Sequence, residues 1–205
     1  VGVTEGGTPA EVAALVNNAN NALGSGIVAS GIIGASREDP ELAQFLDRTI
    51  DPAGRALFAA KDNLCVGWSS ALLPFLNLKG FLRTDGDPLE DPVVRRALGP
   101  LTLGGTTPDM PLYVYHSNPD WLVPVGPVNA MVDAYCSRPG ANVTYTRDHF
   151  SEHLSLEVIA FPSAILWLRD RFAGVPAAPG CRTTDVGSMA LDQRTYPVWV
   201  DAVGE

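Results

Sequence analysis

The sequence predicts an α/β protein: a mostly parallel sheet interrupted near its start by a mainly helical insertion. Three observations carry this. Residues 109–205 run strand, helix, strand, helix with short links, an order that folds as a parallel sheet with helices on its faces. Residues 9–108 read mainly as helix, opened three times by Asp-Pro. Residues 1–8 read as the end of a strand and a turn ahead of that helical stretch.

The elements follow in order. Val1-Gly-Val-Thr4 is the end of a strand and Glu5-Gly-Gly7 a turn. Thr8-Pro9-Ala10-Glu11 predicts a helix start in which Thr8 caps, Pro9 takes the first helical position and Glu11 closes a capping box. That helix is expected to run to Leu23, where Gly24-Ser-Gly26 stops it. Ile27 to Ala35 is apolar and punctuated by Gly31 and Gly34. Asp39-Pro40, Asp51-Pro52 and Asp91-Pro92 open further helices, through Leu46, Ala60 and Leu98, because Asp caps and Pro fixes the first turn. Cys65 to Leu78 reads as an apolar helix kinked at Pro74. The whole insertion is expected to be a separate layer, a cap.

The pattern then changes. Leu112-Tyr-Val-Tyr115 is a buried strand. Pro127 to Tyr135 places Val128, Met131, Val132 and Tyr135 on one helical face, with Gly140 as a stop. Asn142 to Thr146 alternates as a strand. Leu154 to Phe172 is a long helix bent at Pro162. After Cys181 the tail reads as irregular, with one candidate edge strand at Tyr196 to Val200.

Composition bounds the function. A length of 205 residues can bury a sizeable core. A hydrophobic share of 46% against 18% charged marks a globular chain and not a disordered one. The net charge of −9 opposes nucleic acid and anionic membranes as partners, and leaves neutral lipid open. No apolar run reaches the roughly 20 residues of a membrane span, so no transmembrane segment is expected. The start at Val1 lacks the basic and apolar regions of a signal peptide and fits a mature chain or a fragment. Scarce Lys with plentiful Gly and Pro leans toward a secreted enzyme. The three cysteines, Cys65, Cys136 and Cys181, leave one over in an oxidising compartment; three reduced thiols in a cytosolic protein is the alternative.

Two residues stand where chemistry is expected. Asp120 lies just past the C-terminal end of a strand, where open α/β sheets place their sites. Pro119 and Pro124 stiffen its turn. A solvated turn aspartate is the ordinary alternative. His153 follows the next strand in a short loop ahead of a long helix, a place that gives a general base reach and an orienting hydrogen bond. A plain helix-start histidine beside Glu152 is its alternative. Acid before histidine is the chain order of a hydrolase triad whose nucleophile sits upstream in a Gly-x-Ser-x-Gly elbow, and the chain has no such elbow. Ser25, Ser36, Ser69 and Ser70 lie near glycines but in the predicted cap. His149 and His153 would share a face if helical and could then bind a metal, but the segment reads as a loop without a third ligand nearby. His116 is expected to be structural, packed beneath the acid turn. Cys136 and Cys181 follow the two candidates' helices, and pairing them would staple acid and base in register; Cys65 would then lack a partner within the chain.

These motifs resemble the secretory lipase family of the Candida antarctica lipase A type. Tyr115-His-Ser-Asn-Pro-Asp120-Trp-Leu-Val-Pro124 is similar to that family's acid turn. Cys136-Ser-Arg-Pro-Gly-Ala-Asn-Val-Thr-Tyr145 resembles its following strand, and Ser151-Glu-His153-Leu-Ser-Leu-Glu157 its histidine segment. Trp167 to Pro176 and Cys181 look like its closing helix and cysteine, and Gly2 to Pro9 like the strand after its nucleophile helix. One departure is Trp121, where the typical member is acidic; here it is expected to add an apolar wall.

The resemblance implies the C-terminal part of an α/β-hydrolase whose cap is a lid over the acyl site. It implies Asp120 as triad acid, His153 as triad base, a lipid or other carboxylic ester as substrate, and no metal or organic cofactor. It places the nucleophile serine and oxyanion donors in an N-terminal half ahead of Val1, to which Cys65 is expected to be bonded. This chain alone is then expected to be inactive. Two rivals remain: a lipid-binding α/β module without catalysis, and a metal hydrolase using His149, His153 and Asp120.

Overall fold

The computed structural model describes residues 1–61, 64, 65, 68 and 73–203. They form two compact units: residues 1–10 with 103 onward, and residues 11–102.

The first unit is built on a four-stranded sheet in the order β1 (Val3–Gly6), β2 (Leu112–Ser117), β3 (Val143–Asp148), β4 (Cys181–Val186). Every neighbouring pair is parallel, with Val3 opposite Leu112, Leu112 opposite Val143, and Val143 opposite Cys181. All six residues of β2 are buried, as a strand covered on both faces requires. Its side chains alternate between two cores. Leu112 and Val114 pack with Val143, Tyr145 and the Val128, Met131, Val132 and Tyr135 face of α6 (Val125–Cys136). Tyr113 and Tyr115 face the other way, onto Leu156, Ala160 and Ala164 of α7 (His153–Phe172). The period of two in the strand and the helical spacing in α6 thus produce the layers that the sequence predicts.

The second unit holds α1 (Val12–Ala19), α2 (Ser25–Glu38), α3 (Pro40–Thr49), α4 (Pro52–Lys61) and α5 (Pro92–Leu98). Its own core gathers Val16, Val28, Leu42, Phe45, Leu46, Leu89 and Val94. The three Asp-Pro starts form as expected. Asp39 accepts from the N–H groups of Glu41 and Leu42, Asp51 from that of Gly54, and Asp91 from that of Val93.

Four expectations need correcting. The first helix starts at Val12 after Glu11, not at Pro9. Ala10 is 2% exposed within the sheet core, which holds Thr8-Pro9-Ala10 out of a helical turn, and the Thr8 hydroxyl caps nothing. Residues 73–78 form a bend and turns, not the end of a helix, while residues 62, 63, 66, 67 and 69–72 of that stretch lie outside the described residues. The tail is not irregular: residues 181–186 are the edge strand β4, and Tyr196–Val203 is a helix, α8, not a strand. Arg182 to Asp185 lack apolar alternation because an edge strand needs none, and Pro197 sits in the first helical turn, where its missing N–H costs nothing. Finally, His153 is not in a loop but is the first residue of α7.

Candidate active site

Both candidate residues stand at the C-terminal ends of central strands. After β2 the chain turns through Asn118 to Pro124. Asp120 closes this turn on itself: its Oδ1 accepts from the N–H groups of Leu122 (2.8 Å) and Val123 (2.7 Å). Its side chain is fully buried, so those two bonds orient it as well as solvate it. After β3 a second turn leads to α7, whose N-cap is Glu152. Glu152 accepts from the N–H groups of Leu154 and Ser155, and the Ser155 hydroxyl accepts from the Glu152 N–H, a reciprocal capping box. The N–H of Leu154, followed by those of Ser155 and Trp121, holds the Glu152 carboxyl down at about 2.

The two turns meet at His153. Its Nδ1 lies 2.8 Å from the free oxygen of Asp120, Oδ2. A carboxylate can only accept, so Nδ1 carries the proton. That hydrogen bond, ahead of opposing burial, raises the imidazole pKa above its ordinary value. Nε2 has no hydrogen-bond partner among the described residues. The ring forms one wall of a pocket of about 280 Å³, with Gly6, Gly7, Leu154, Leu156 and Glu157. Trp121 stands edge-on to the imidazole, centroids 6.1 Å apart, and its indole N–H donates to Glu152. A free Nε2 on an imidazole oriented through Nδ1 is the arrangement a general base needs.

His116 is fully buried, and its Nε2 donates to the Val123 carbonyl at 3.0 Å. It stands 3.7 Å from Asp120 Oδ2, beyond hydrogen-bond range. Burial lowers its pKa, which keeps it neutral under the acid turn. His149 is set apart: Nε2 donates to Asp185 Oδ1 (2.7 Å), and Nδ1 accepts from Asn118 (3.0 Å). Among the described residues no three His, Cys, Asp or Glu side chains converge as a metal site. Ser25 is buried in the helical unit, donating to the Leu73 carbonyl and accepting from the Leu76 N–H, and Ser36 bonds the Ile33 carbonyl. Ser69 and Ser70 lie outside the described residues. Cys136 and Cys181 form a disulfide that joins the end of α6 to the start of β4, and Cys65 is free and exposed.

Sequence reading passed over Gly6-Gly7 as a simple turn. Gly7 adopts φ +57°, and a Cβ there would stand 2.9 Å from His153 Cε1. A Cβ on Gly6 would fall inside the Tyr115 ring. The signal available was the Gly-Gly pair at a strand end; its partner, the imidazole, is far away in sequence.

Comparison with known proteins gives the chain's relatives. A family model described as Secretory lipase matches residues 1–180. The chain is 29% identical over 91% of its length to Lipase A of Arthroderma benhamiae. It is 31% identical over 89% to Secreted triacylglycerol lipase LIP5 of Malassezia globosa, and 31% over 86% to Probable inactive lipase MT1628 of Mycobacterium tuberculosis. It spans about 40% of the length of each of these relatives. The fold superposes on Candida antarctica lipase A in its closed state with a TM-score of 0.84 at 22% identity, over 98% of this chain and 50% of that one.

Proposed function

The chain belongs to the secretory lipase family, and from that premise we propose that it supplies the acid and the base of a serine esterase acting on lipid or other carboxylic esters. One observation carries the reading: a buried Asp120 held by two backbone N–H groups, with its remaining oxygen 2.8 Å from His153 Nδ1. Nε2, left free at the pocket, takes the proton of an attacking serine and passes it to the leaving alcohol. Asp120 holds the Nδ1–H tautomer and stabilises the imidazolium that forms. The serine and the oxyanion donors come from outside residues 1–205 in this reading. The helical unit acts as lid, Cys65 offers a thiol to the partner half, and the protein is secreted, as the name of the Malassezia relative states for that protein. Triacylglycerol, named for the same relative, is the first substrate to test.

The test uses an active polypeptide that contains this chain. His153→Ala is expected to abolish ester turnover and His149→Ala to retain most of it; the reverse result sinks the assignment. A fluorophosphonate probe is expected to leave residues 1–205 unlabelled, and labelling of a serine among them would overturn the reading. A second reading, lipid binding without turnover, draws on the Mycobacterium relative's name. Bound fatty acid on a lone chain, with no turnover in any longer product, favours it.

A further inference from the structure

Asp148, the last residue of β3, is fully buried. A buried carboxylate is costly unless its oxygens are filled. Here Oδ1 accepts from the N–H groups of Phe150 (2.8 Å) and Ser151 (2.7 Å), and Oδ2 from that of Met189 (2.6 Å). The first two bonds shape the turn that ends, two residues later, at His153. The third joins that turn to the segment after β4. Main-chain bonds run the same way: Asn118 N–H donates to the Asp148 carbonyl, and His149 N–H to that of Val186. Ser117 at the end of β2 adds a side-chain bond to the Ser151 carbonyl. Met189 is itself fixed, 4% exposed within the Tyr113, Tyr115 and Leu156 core. It lies beyond residue 180, where the family match stops.

We propose that Asp148 is a positioning residue, tying the turn that delivers His153 to the segment 187–191 and so keeping the imidazole at Asp120. What the imidazole does there rests on the hydrolase reading; the tie itself does not. The Asn118 N–H of the acid turn meets the Asp148 main-chain carbonyl, so the residue whose carboxylate shapes the His153 turn also borders the acid turn.

Asp148→Asn keeps the volume but brings an amide N–H₂ to face either the Met189 N–H or the two turn N–H groups, all donors. The measurement is the NMR titration of the His153 imidazole in the folded chain. In the variant it is expected to titrate lower than in the wild type, because contact with Asp120 loosens. An unchanged titration in a folded variant overturns the proposal. Met189→Pro against Met189→Ala makes an independent pair. Both lose the buried side chain, but only Pro loses the N–H, and Ser188 is already extended as a residue before Pro must be (φ −153°, ψ 141°). Pro is expected to shift the His153 titration more than Ala; equal effects overturn the proposal, and this pair decides should Asp148→Asn not fold. In an active polypeptide Asp148→Asn is expected to lower kcat by about 10²-fold with KM little changed, since a small misplacement of a catalytic group costs about that much. Unchanged kcat would count against the tie. Full turnover by His153→Ala would instead sink the hydrolase reading while leaving the titrations to decide on Asp148.

Discussion

At the scale of single residues, the site depends on what is absent from Gly7 as much as on what Asp120 and His153 carry. Gly7 combines a left-handed φ of +57° with an imidazole carbon 2.9 Å from where a Cβ would stand. Gly140 has a φ of +81° and nothing within 4 Å. Both Gly→Ala variants are expected to cost about 1–2 kcal/mol in backbone strain, read as a lower urea midpoint. Gly7→Ala alone is expected also to displace the imidazole and lower kcat in an active polypeptide; equal kcat for the two variants would show that the ring tolerates a methyl group. Asp120 was legible in the sequence because strand-end carboxylates are a local pattern. Its pairing with His153 was expected only through the family resemblance, since no local rule sets the distance between two turns.

At the scale of elements, local chemistry decided some helix starts and tertiary packing overrode another. Asp-Pro worked at Asp39, Asp51 and Asp91 because cap and ring act within one turn. Thr8-Pro9 failed because Ala10 is claimed by the sheet core. Glu152 is a weaker capping type, so nothing local marked His153 as the start of α7. Glu152→Ala is expected to cost about 1 kcal/mol at neutral pH, read by denaturant unfolding. The cap acts through the carboxylate, whose folded pKa is depressed to about 2 from 4.5. Its stabilisation is therefore complete above the unfolded value and is lost as pH falls toward about 2. The gap between wild type and variant should close over that window; a gap of constant size would mean the ionised carboxylate is not what caps.

At the scale of the whole molecule, two units each bury a core of their own, and the Cys136–Cys181 bond lies within the sheet unit. It spans 45 residues, for which loop entropy predicts about 4 kcal/mol of stabilisation. Replacing both cysteines by Ala should lower the unfolding midpoint accordingly, and loss of β4 pairing beside β3 should accompany it. By itself the sequence determined the α/β class, the burial of β2, the faces of α6 and the acid-then-histidine order, because periodicity, caps and motif order are written in neighbouring residues. Only the tertiary structure decided that residues 181–186 pair with β3, that Tyr196–Val203 is a helix, that Gly7 makes room for the imidazole, and that Asp148 braces its turn. Those outcomes depend on contacts between residues distant along the chain, whose energies are set by packing and hydrogen bonding in three dimensions.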